Sequence, residues 1–94
     1  MRQMYVFLWA HPGMERALSD YEDAVLALVG EHGGQVLQRS RADGLDGRPV
    51  EIQLLQWTAQ DGFDGYMADP RRTRLADARD RAVARTEVVP VRPV

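Results

Sequence analysis

The chain of 94 residues contains no cysteine and no lysine. Without cysteine it can form no disulfide, no thiolate nucleophile and no Cys-based metal site. Without lysine it has no ε-amine for Schiff-base chemistry, since all 12 residues counted as Lys or Arg are arginine. These absences exclude two common forms of covalent catalysis.

Long apolar runs and clustered positive charge are also missing. No apolar run approaches the ~18–20 residues that span a bilayer, and the start, MRQMYVFLWAHPGM, has no small-residue cleavage site. We therefore expect a cytoplasmic protein with no membrane partner. The formal net charge is -2 and acids alternate with arginines, so we expect no nucleic-acid partner. The apolar content, 45%, predicts one globular domain over residues 1–94.

Metal and nucleophile motifs are lacking too. The two histidines fall at opposite ends of one predicted helix, and neither forms a pair or a carboxylate cluster with metal-ligand spacing. No serine stands in G-x-S-x-G surroundings. We expect no metal and no cofactor.

The apolar pattern predicts four strands and two helical regions. Strands are predicted over 3–9, 35–42, 50–57 and 86–91, and Pro90 and Pro93 suggest that the last strand lies at an edge of the sheet. Apolar residues from Met14 to Leu28 recur at helical spacing and indicate a first helix of about five turns, ended by Gly33. The charged residues of this helix, Glu22 among them, fall mostly away from the apolar stripe. Thr58 is expected to cap the second helix, and Asp69, before proline, to end it and cap the next. The order β-α-β-β-α-β is typical of a ferredoxin-like α+β fold, an antiparallel sheet of four strands with helices on one face.

Both sides of the first strand are apolar. Tyr5, Phe7 and Trp9 alternate with Met4, Val6 and Leu8. A sheet wetted on one side would alternate apolar with polar residues. The uncovered face should therefore meet a second apolar surface, and we predict a homodimer formed through the sheet face. Arg39 and Glu51, on adjacent strands, are expected to pair as a salt bridge at the dimer seam.

Several segments resemble the dimeric α+β barrel superfamily, and in particular its small DUF1330-like and antibiotic-biosynthesis-monooxygenase domains. They are YVFLWAHPG, EHGGQVL, PVEIQLLQW and GYMADPRR. The resemblance implies a homodimeric α+β barrel with a pocket between sheet and helices in each subunit. Members include cofactor-free oxygenases of polyketide-like aromatics and polyketide cyclases. The cyclases carry a segment resembling Y-x-x-H-P-x-H, which this chain matches with Tyr66, Asp69, Pro70 and Arg72. Arginine cannot serve as a base at neutral pH, so the chain departs from the cyclase pattern there.

Two residues are candidates for catalysis. His11 follows the first strand and titrates near neutral pH, which suits a proton carrier, although a surface histidine is the alternative. Tyr66 can donate a proton to a developing enolate or phenolate.

Four residues are candidates for substrate binding. Trp9 and Trp57 offer flat contact area, with core packing as the alternative. Arg71 and Arg72 fall in the first turn of the last helix, where the helix dipole disfavours cations. They suggest a subsite for an anion, a carboxylate or an enolate, unless neighbouring acids simply neutralise them.

Two functions remain open. The first is a cofactor-free enzyme of secondary metabolism that oxygenates, cyclises or isomerises an aromatic or polyketide-like small molecule. The second is a non-catalytic module of the same fold that binds a small ligand or directs assembly. No residue pair in the sequence forms a self-evident acid–base couple, so the sequence does not decide between them.

Overall fold

The structure, a computed structural model, describes all 94 residues. The elements in chain order are β1 (Arg2–Ala10), α1 (Glu15–Leu26), β2 (Gly34–Arg41), β3 (Glu51–Trp57), α2 (Gln60–Met67), α3 (Pro70–Thr73), α4 (Ala76–Ala82) and β4 (Val83–Val91). A 3₁₀ turn, Val29–His32, leads from α1 into β2, and another, Leu45–Gly47, lies in the β2–β3 loop.

The four strands form one antiparallel sheet in the order β2-β3-β1-β4. This order and the helices confirm the predicted ferredoxin-like α+β fold. The edge position predicted for the last strand is also confirmed, and it suits Pro90, which has no N–H for a further neighbour.

Side-chain alternation separates an inner face of the sheet, toward the helices, from an outer face. On β1 the buried residues Met4, Val6 and Leu8 point inward, while Tyr5 and Phe7 are only half-buried on the outer face. On β3 the inward residues are Glu51, Gln53, Leu55 and Trp57, all of them buried. Two polar residues therefore sit under the helices, where an apolar layer would be ordinary.

The first helix is shorter than its apolar pattern predicts. It ends at Leu26, and the chain continues in the 3₁₀ turn that buries Val29. Gly30 is a poor helix former, and burial of Val29 stabilises the 3₁₀ turn. For these two reasons the α-helix does not continue as the apolar spacing predicts. Gly33, with a φ of 74°, ends the turn in the left-handed conformation expected of it.

The second helical region confirms one predicted cap and corrects another. Asp69 caps α3, because its Oδ1 accepts a hydrogen bond from the Arg71 backbone N–H at 2.8 Å, with Pro70 in the first position. Thr58 makes no cap: α2 begins at Gln60 after Ala59, and the Thr58 N–H donates to Gly33 O at 3.0 Å instead. The last strand begins at Val83, earlier than predicted, because its pairing with β1 reaches Ala10.

None of the helices combines the length and the apolar character needed to cross a bilayer.

Candidate functional site

A cavity of about 50 Å³ lies between the inner face of the sheet and the helices. Its walls are mostly apolar, and its rim is formed by the lining residues that are exposed, Met67, Thr86 and Val88. Thr86 and Val88 belong to the inner side of the edge strand β4, where they pair with Leu8 and Val6. The polar side chains that line the interior are Glu22, Gln53, Tyr66, Arg72 and Arg79.

Glu22 is the buried carboxylate of this cavity. It stands on α1, four residues after Leu18 and three before Val25, and this spacing turns it toward the sheet. The residue is 5% exposed, and its one hydrogen bond is accepted by Oε1 from Gln53 Nε2 at 2.6 Å. Burial raises the pKa of Glu22; the Gln53 hydrogen bond opposes that effect, and the negative charge of Glu51 adds to it. The group is thereby suited to accept a proton nearer to neutral pH.

Gln53 links Glu22 to a second buried carboxylate. The same Nε2 donates to Glu51 Oε2 at 2.7 Å, and Gln53 is 1% exposed. Arg39 donates to both oxygens of Glu51, through Nε at 2.9 Å and Nη2 at 3.2 Å. We expected an Arg39–Glu51 pair at the dimer seam. The pair forms, but on the helix side, because Arg39 also binds Asp23 of α1.

Tyr66 and Arg72 stand together on another side of the cavity. Tyr66 on α2 is 4% exposed, and the Arg72 guanidinium carbon lies 5.0 Å from its ring centroid. Burial raises the pKa of Tyr66 to about 12, although Arg72 opposes the shift. The phenol therefore stays protonated at neutral pH and can donate a hydrogen bond.

Three buried donors have no acceptor within the protein: Arg72 Nε, Tyr21 OH and Trp57 Nε1. Of these residues only Arg72 lines the cavity. Burying an unpaired donor costs about 1–3 kcal/mol, so native structures rarely keep one without a reason. Donors of this kind suit an incoming oxygen atom of a ligand.

Trp57 supports Tyr66 from behind. The indole is fully buried, and its ring centroid lies 5.4 Å from that of Tyr66 and 5.7 Å from that of Phe63. It does not line the cavity. Its contact with a substrate would run through Tyr66.

His11 and Trp9 lie away from the cavity. His11 is exposed in the turn after β1. Trp9 belongs to the outer face, where its Nε1 donates to Gly47 O at 2.8 Å and Arg85 stacks over its ring at 4.3 Å. The structure therefore brings Tyr66, Trp57 and Arg72 together, and it separates them from His11 and Trp9.

Arg71 belongs to a different group, the junction cluster of Glu31, His32, Asp69 and Arg71. Asp69 Oδ2 accepts from Arg71 Nη2 at 2.9 Å and lies 2.8 Å from His32 Nε2, while Arg71 Nη1 reaches Glu31 at 3.0 Å. Hydrogen bonds from Arg71, and next from His32, hold the pKa of Asp69 well below its usual range. EHGGQVL and GYMADPRR, two of the four segments that carry the family resemblance, meet in this cluster.

Two glycines of α2 allow that meeting. A side chain at Gly62 would overlap the backbone carbonyl of His32, and one at Gly65 would come within 3.1 Å of His32 Nδ1. The close approach of the helix to the 3₁₀ turn therefore requires the absence of a Cβ at Gly62, and Gly65 leaves room for the His32 ring.

Glu22 and Gln53 are cavity residues that sequence reasoning missed. We interpreted Glu22 as lying mostly away from the apolar stripe, and this is wrong. Its spacing from Leu18 and Val25 was the signal for an inward position. Gln53 shares its face of β3 with Leu55, a second signal in the alternation.

Known structures share the fold of this chain, whereas no protein-family model and no curated protein sequence matches it. A NIPSNAP family protein with unknown function from Agrobacterium tumefaciens aligns at TM-score 0.78 and 15% identity, over 100% of this chain and 88% of that one. An uncharacterised NIPSNAP domain protein from Burkholderia xenovorans aligns at TM-score 0.75 and 13% identity, over 100% and 95%.

A dimeric protein of unknown function and ferredoxin-like fold from Bacteroides fragilis aligns at TM-score 0.73 and 10% identity, over 98% of this chain and 95% of that one. Identities this low show the fold alone. They place the chain among ferredoxin-like α+β proteins.

No group of three or more His, Asp or Glu side chains is arranged to hold a metal ion.

Proposed function

We propose that the protein is a small-molecule enzyme that works without a cofactor, using the cavity under the sheet. Its substrate would be a small aromatic or polyketide-like molecule with a carbonyl group beside an acidic C–H bond. The observation that carries the proposal is Glu22, a buried carboxylate that lines the cavity and is hydrogen-bonded only to an amide. A buried acid with a raised pKa in a cleft is a recurrent mark of acid–base sites.

The chemistry would be proton transfer. Glu22 takes the proton of the C–H bond, and the electron pair of that bond moves toward the carbonyl oxygen as the enolate forms. Arg72 and the phenol of Tyr66 stabilise the negative oxygen. Return of the proton to another carbon gives an isomer, and attack of the enolate carbon on a second carbonyl gives a cyclised product.

The resemblance to the antibiotic-biosynthesis-monooxygenase domains suggests oxygenation as another reaction that could follow the same first step, the removal of a proton by Glu22. Removal of a proton gives the electron-rich enolate or phenolate that reacts with molecular oxygen. Glu22 would then serve both outcomes, and the substrate would decide between them.

The size of the cavity sets a condition on this proposal. Engineered cavities that bind benzene measure about 150 Å³, and this one holds about 50 Å³. A ring-sized ligand therefore requires a rim side chain to move, and Met67, which is 38% exposed, has the flexibility to do so.

The experiment is a hydrogen–deuterium exchange assay on a panel of aromatic β-dicarbonyl compounds in heavy water, followed by proton NMR. Glu22→Gln keeps the shape of the side chain and removes the base, so we expect the rate to fall by about 10²–10⁴-fold. The matched control is Asp20→Asn on the same helix. Asp20 is exposed and pairs only with Arg16, so its replacement should leave the rate unchanged. Equal rates for Glu22→Gln and the unmodified protein on a probe that is turned over would reject the proposal.

The alternative is a non-catalytic binding module, and the small volume and the position of His11 outside the cavity favour it. It predicts a thermal shift with hydrophobic acids and no exchange with any probe. A ligand at 100 times its dissociation constant adds about 2.7 kcal/mol of stability, which calorimetry detects readily. Binding of the same acids that also undergo turnover would exclude this alternative.

We propose further that two chains associate through the outer face of the sheet. The support is a group of half-buried apolar residues on that face, Tyr5, Phe7, Ile52, Leu54 and Val89. The Bacteroides fragilis neighbour, described as dimeric, shows that this fold occurs in dimers.

Sedimentation at micromolar concentration tests the association. We expect a particle of about twice the chain mass of 10.6 kDa. Phe7→Arg should give a monomer, because it puts a charge into the face. Leu45→Arg, at an exposed position in the β2–β3 loop, is the control and should remain a dimer. A single 10.6 kDa particle for the unmodified chain would contradict the proposal.

A further inference from the structure

We infer that Gln53 is a positioning residue that decides which oxygen of Glu22 carries the proton. This inference rests on the proposed function, in which Glu22 is the base. It adds a chain of contacts from the protein surface to the cavity, Arg39–Glu51–Gln53–Glu22, formed by β2, β3 and α1.

The orientation of the Gln53 amide follows from its neighbours. Glu22 Oε1 lies 2.6 Å and Glu51 Oε2 lies 2.7 Å from Nε2. Both neighbours are carboxylate oxygens, which accept, so the side of the amide that faces them is the NH₂ group with its two hydrogens. One hydrogen goes to each carboxylate, and the donor capacity of Gln53 is fully used.

The contact with Glu22 selects an oxygen. Oε1 already accepts a hydrogen bond from Gln53, and a proton on that oxygen would weaken this bond by making the oxygen a poorer acceptor. The proton therefore goes to Oε2, which makes no hydrogen bond within the protein. Gln53 thereby leaves one oxygen of Glu22 to take a proton from a ligand and return it.

The contact with Glu51 fixes the far end of the chain. Arg39 holds Glu51 through two charge-assisted hydrogen bonds, which are stronger than bonds between neutral groups. Gln53 cannot rotate toward the cavity without breaking its bond to this charge. The amide is thus locked in the orientation that serves Glu22.

Charged and titratable groups act on Glu22 from several elements. Glu51 of β3 disfavours its ionised form, and Arg72 of α3 and Arg39 of β2 favour it. Tyr21 of α1 and Tyr66 of α2 are affected by Glu22 in turn, while Arg79 of α4 lines the same cavity. Removal of the Gln53 amide and removal of the Glu51 charge should therefore change the Glu22 titration in opposite directions.

The test is ¹³C NMR titration of the ligand-free protein labelled with ¹³C-glutamate, with the Glu22 carboxyl signal identified by its loss in Glu22→Gln. Gln53→Met keeps the volume and removes the N–H, and should raise the pKa of Glu22. Glu51→Gln removes the neighbouring charge and should lower it. A residue that only fills space would not give this pair of opposite shifts.

Two outcomes overturn the inference. One is an unchanged or lowered pKa of Glu22 in Gln53→Met, and the other is a shift of the same sign in both variants. Should Gln53→Met fail to fold, Gln53→Asn serves instead, because an amide shorter by one methylene cannot reach both carboxylates and should also raise the pKa. Exchange activity that survives Glu22→Gln would refute the proposed role of Glu22 as the base. The titrations use ligand-free protein and would still report on Gln53, so failure of the proposed function and failure of this inference are distinguishable.

Discussion

Glu22 in the cavity and Asp69 in the junction cluster are equally buried, at 5% exposure each, and their surroundings are opposite. Asp69 is bonded by His32 and by three N–H groups of Arg71, and its pKa is lowered. Glu22 is bonded by a single amide, and its pKa is raised. Low exposure therefore does not by itself set the direction of a carboxylate pKa shift: burial raises the pKa of Glu22, whereas hydrogen bonds from Arg71 and His32 override it in Asp69.

The same contrast separates the two arginines that the sequence singled out. The guanidinium of Arg71 forms salt bridges with Asp69 and Glu31, and thereby joins α3 to the 3₁₀ turn. Arg72 lies against the Tyr66 ring and keeps a buried Nε without an acceptor. Satisfied polar groups brace the fold, whereas incompletely satisfied groups remain available to a ligand.

The largest expected effect that separates the two regions is that of Tyr66→Phe. Loss of one oxyanion donor typically costs about 10²–10³-fold in turnover, and the ring packing against Trp57 is kept. We expect this loss in the exchange assay, with the dimer intact by sedimentation. An unchanged rate on a turned-over probe would remove Tyr66 from the mechanism.

The next effect is on ligand affinity. A hydrogen bond to a charged group contributes about 1.5–3 kcal/mol, so Arg72→Gln should weaken binding of an aromatic carboxylate such as 2-naphthoate by roughly 10–100-fold. Arg71→Gln should leave the affinity unchanged and lower the urea midpoint. Calorimetric titration and urea unfolding measure the two quantities. Equal loss of affinity in both variants would erase the distinction between the two arginines.

A smaller effect concerns the junction cluster alone. Gly62→Ala places a methyl group against the His32 carbonyl, and overpacking of this kind costs about 1–3 kcal/mol. Gly30→Ala is the control, because nothing lies within 4 Å of its added Cβ. The thermal midpoint should fall for the first variant and not for the second. A midpoint for Gly62→Ala equal to that of the control would contradict the close approach.

The smallest effect is a difference in pH dependence. Folding raises the pKa of Glu22, so protonation of Glu22 stabilises the folded state at low pH. That stabilisation is lost as the pH rises from the unfolded pKa of about 4.3 through the raised pKa of the folded state. The unmodified protein should therefore lose stability relative to Glu22→Gln across that window.

The lowered pKa of Asp69 acts in the reverse sense, so the unmodified protein should lose stability relative to Asp69→Asn as pH falls below about 4. Urea unfolding at several pH values measures both differences, and parallel curves would contradict them.

The sequence predicted the sheet and its edge strand because alternation and turn residues are local signals. It also identified Tyr66 and Arg72, which stand six residues apart in one motif. It did not show that Trp9 and Tyr66 lie on opposite faces of the sheet, since a strand end says nothing about which face the helices cover.

Glu22 was missed for a different reason. A charged residue on an amphipathic helix is ordinarily solvated, and that expectation outweighed its spacing from Leu18 and Val25. Only the tertiary arrangement shows that Gln53 stands opposite to receive it. Polar pairs between a helix and a strand distant in sequence leave no local signal.

Thr86 and Val88 border the cavity from an edge strand, whereas the acid, the amide and the guanidinium stand on other elements. Under the proposed function, admission of a molecule and the reaction it undergoes would belong to separate parts of the chain. Substitutions on this strand would then alter which compounds enter while the proposed reactive groups stay in place. The scaffold is for that reason a convenient starting point for redirecting selectivity by mutation.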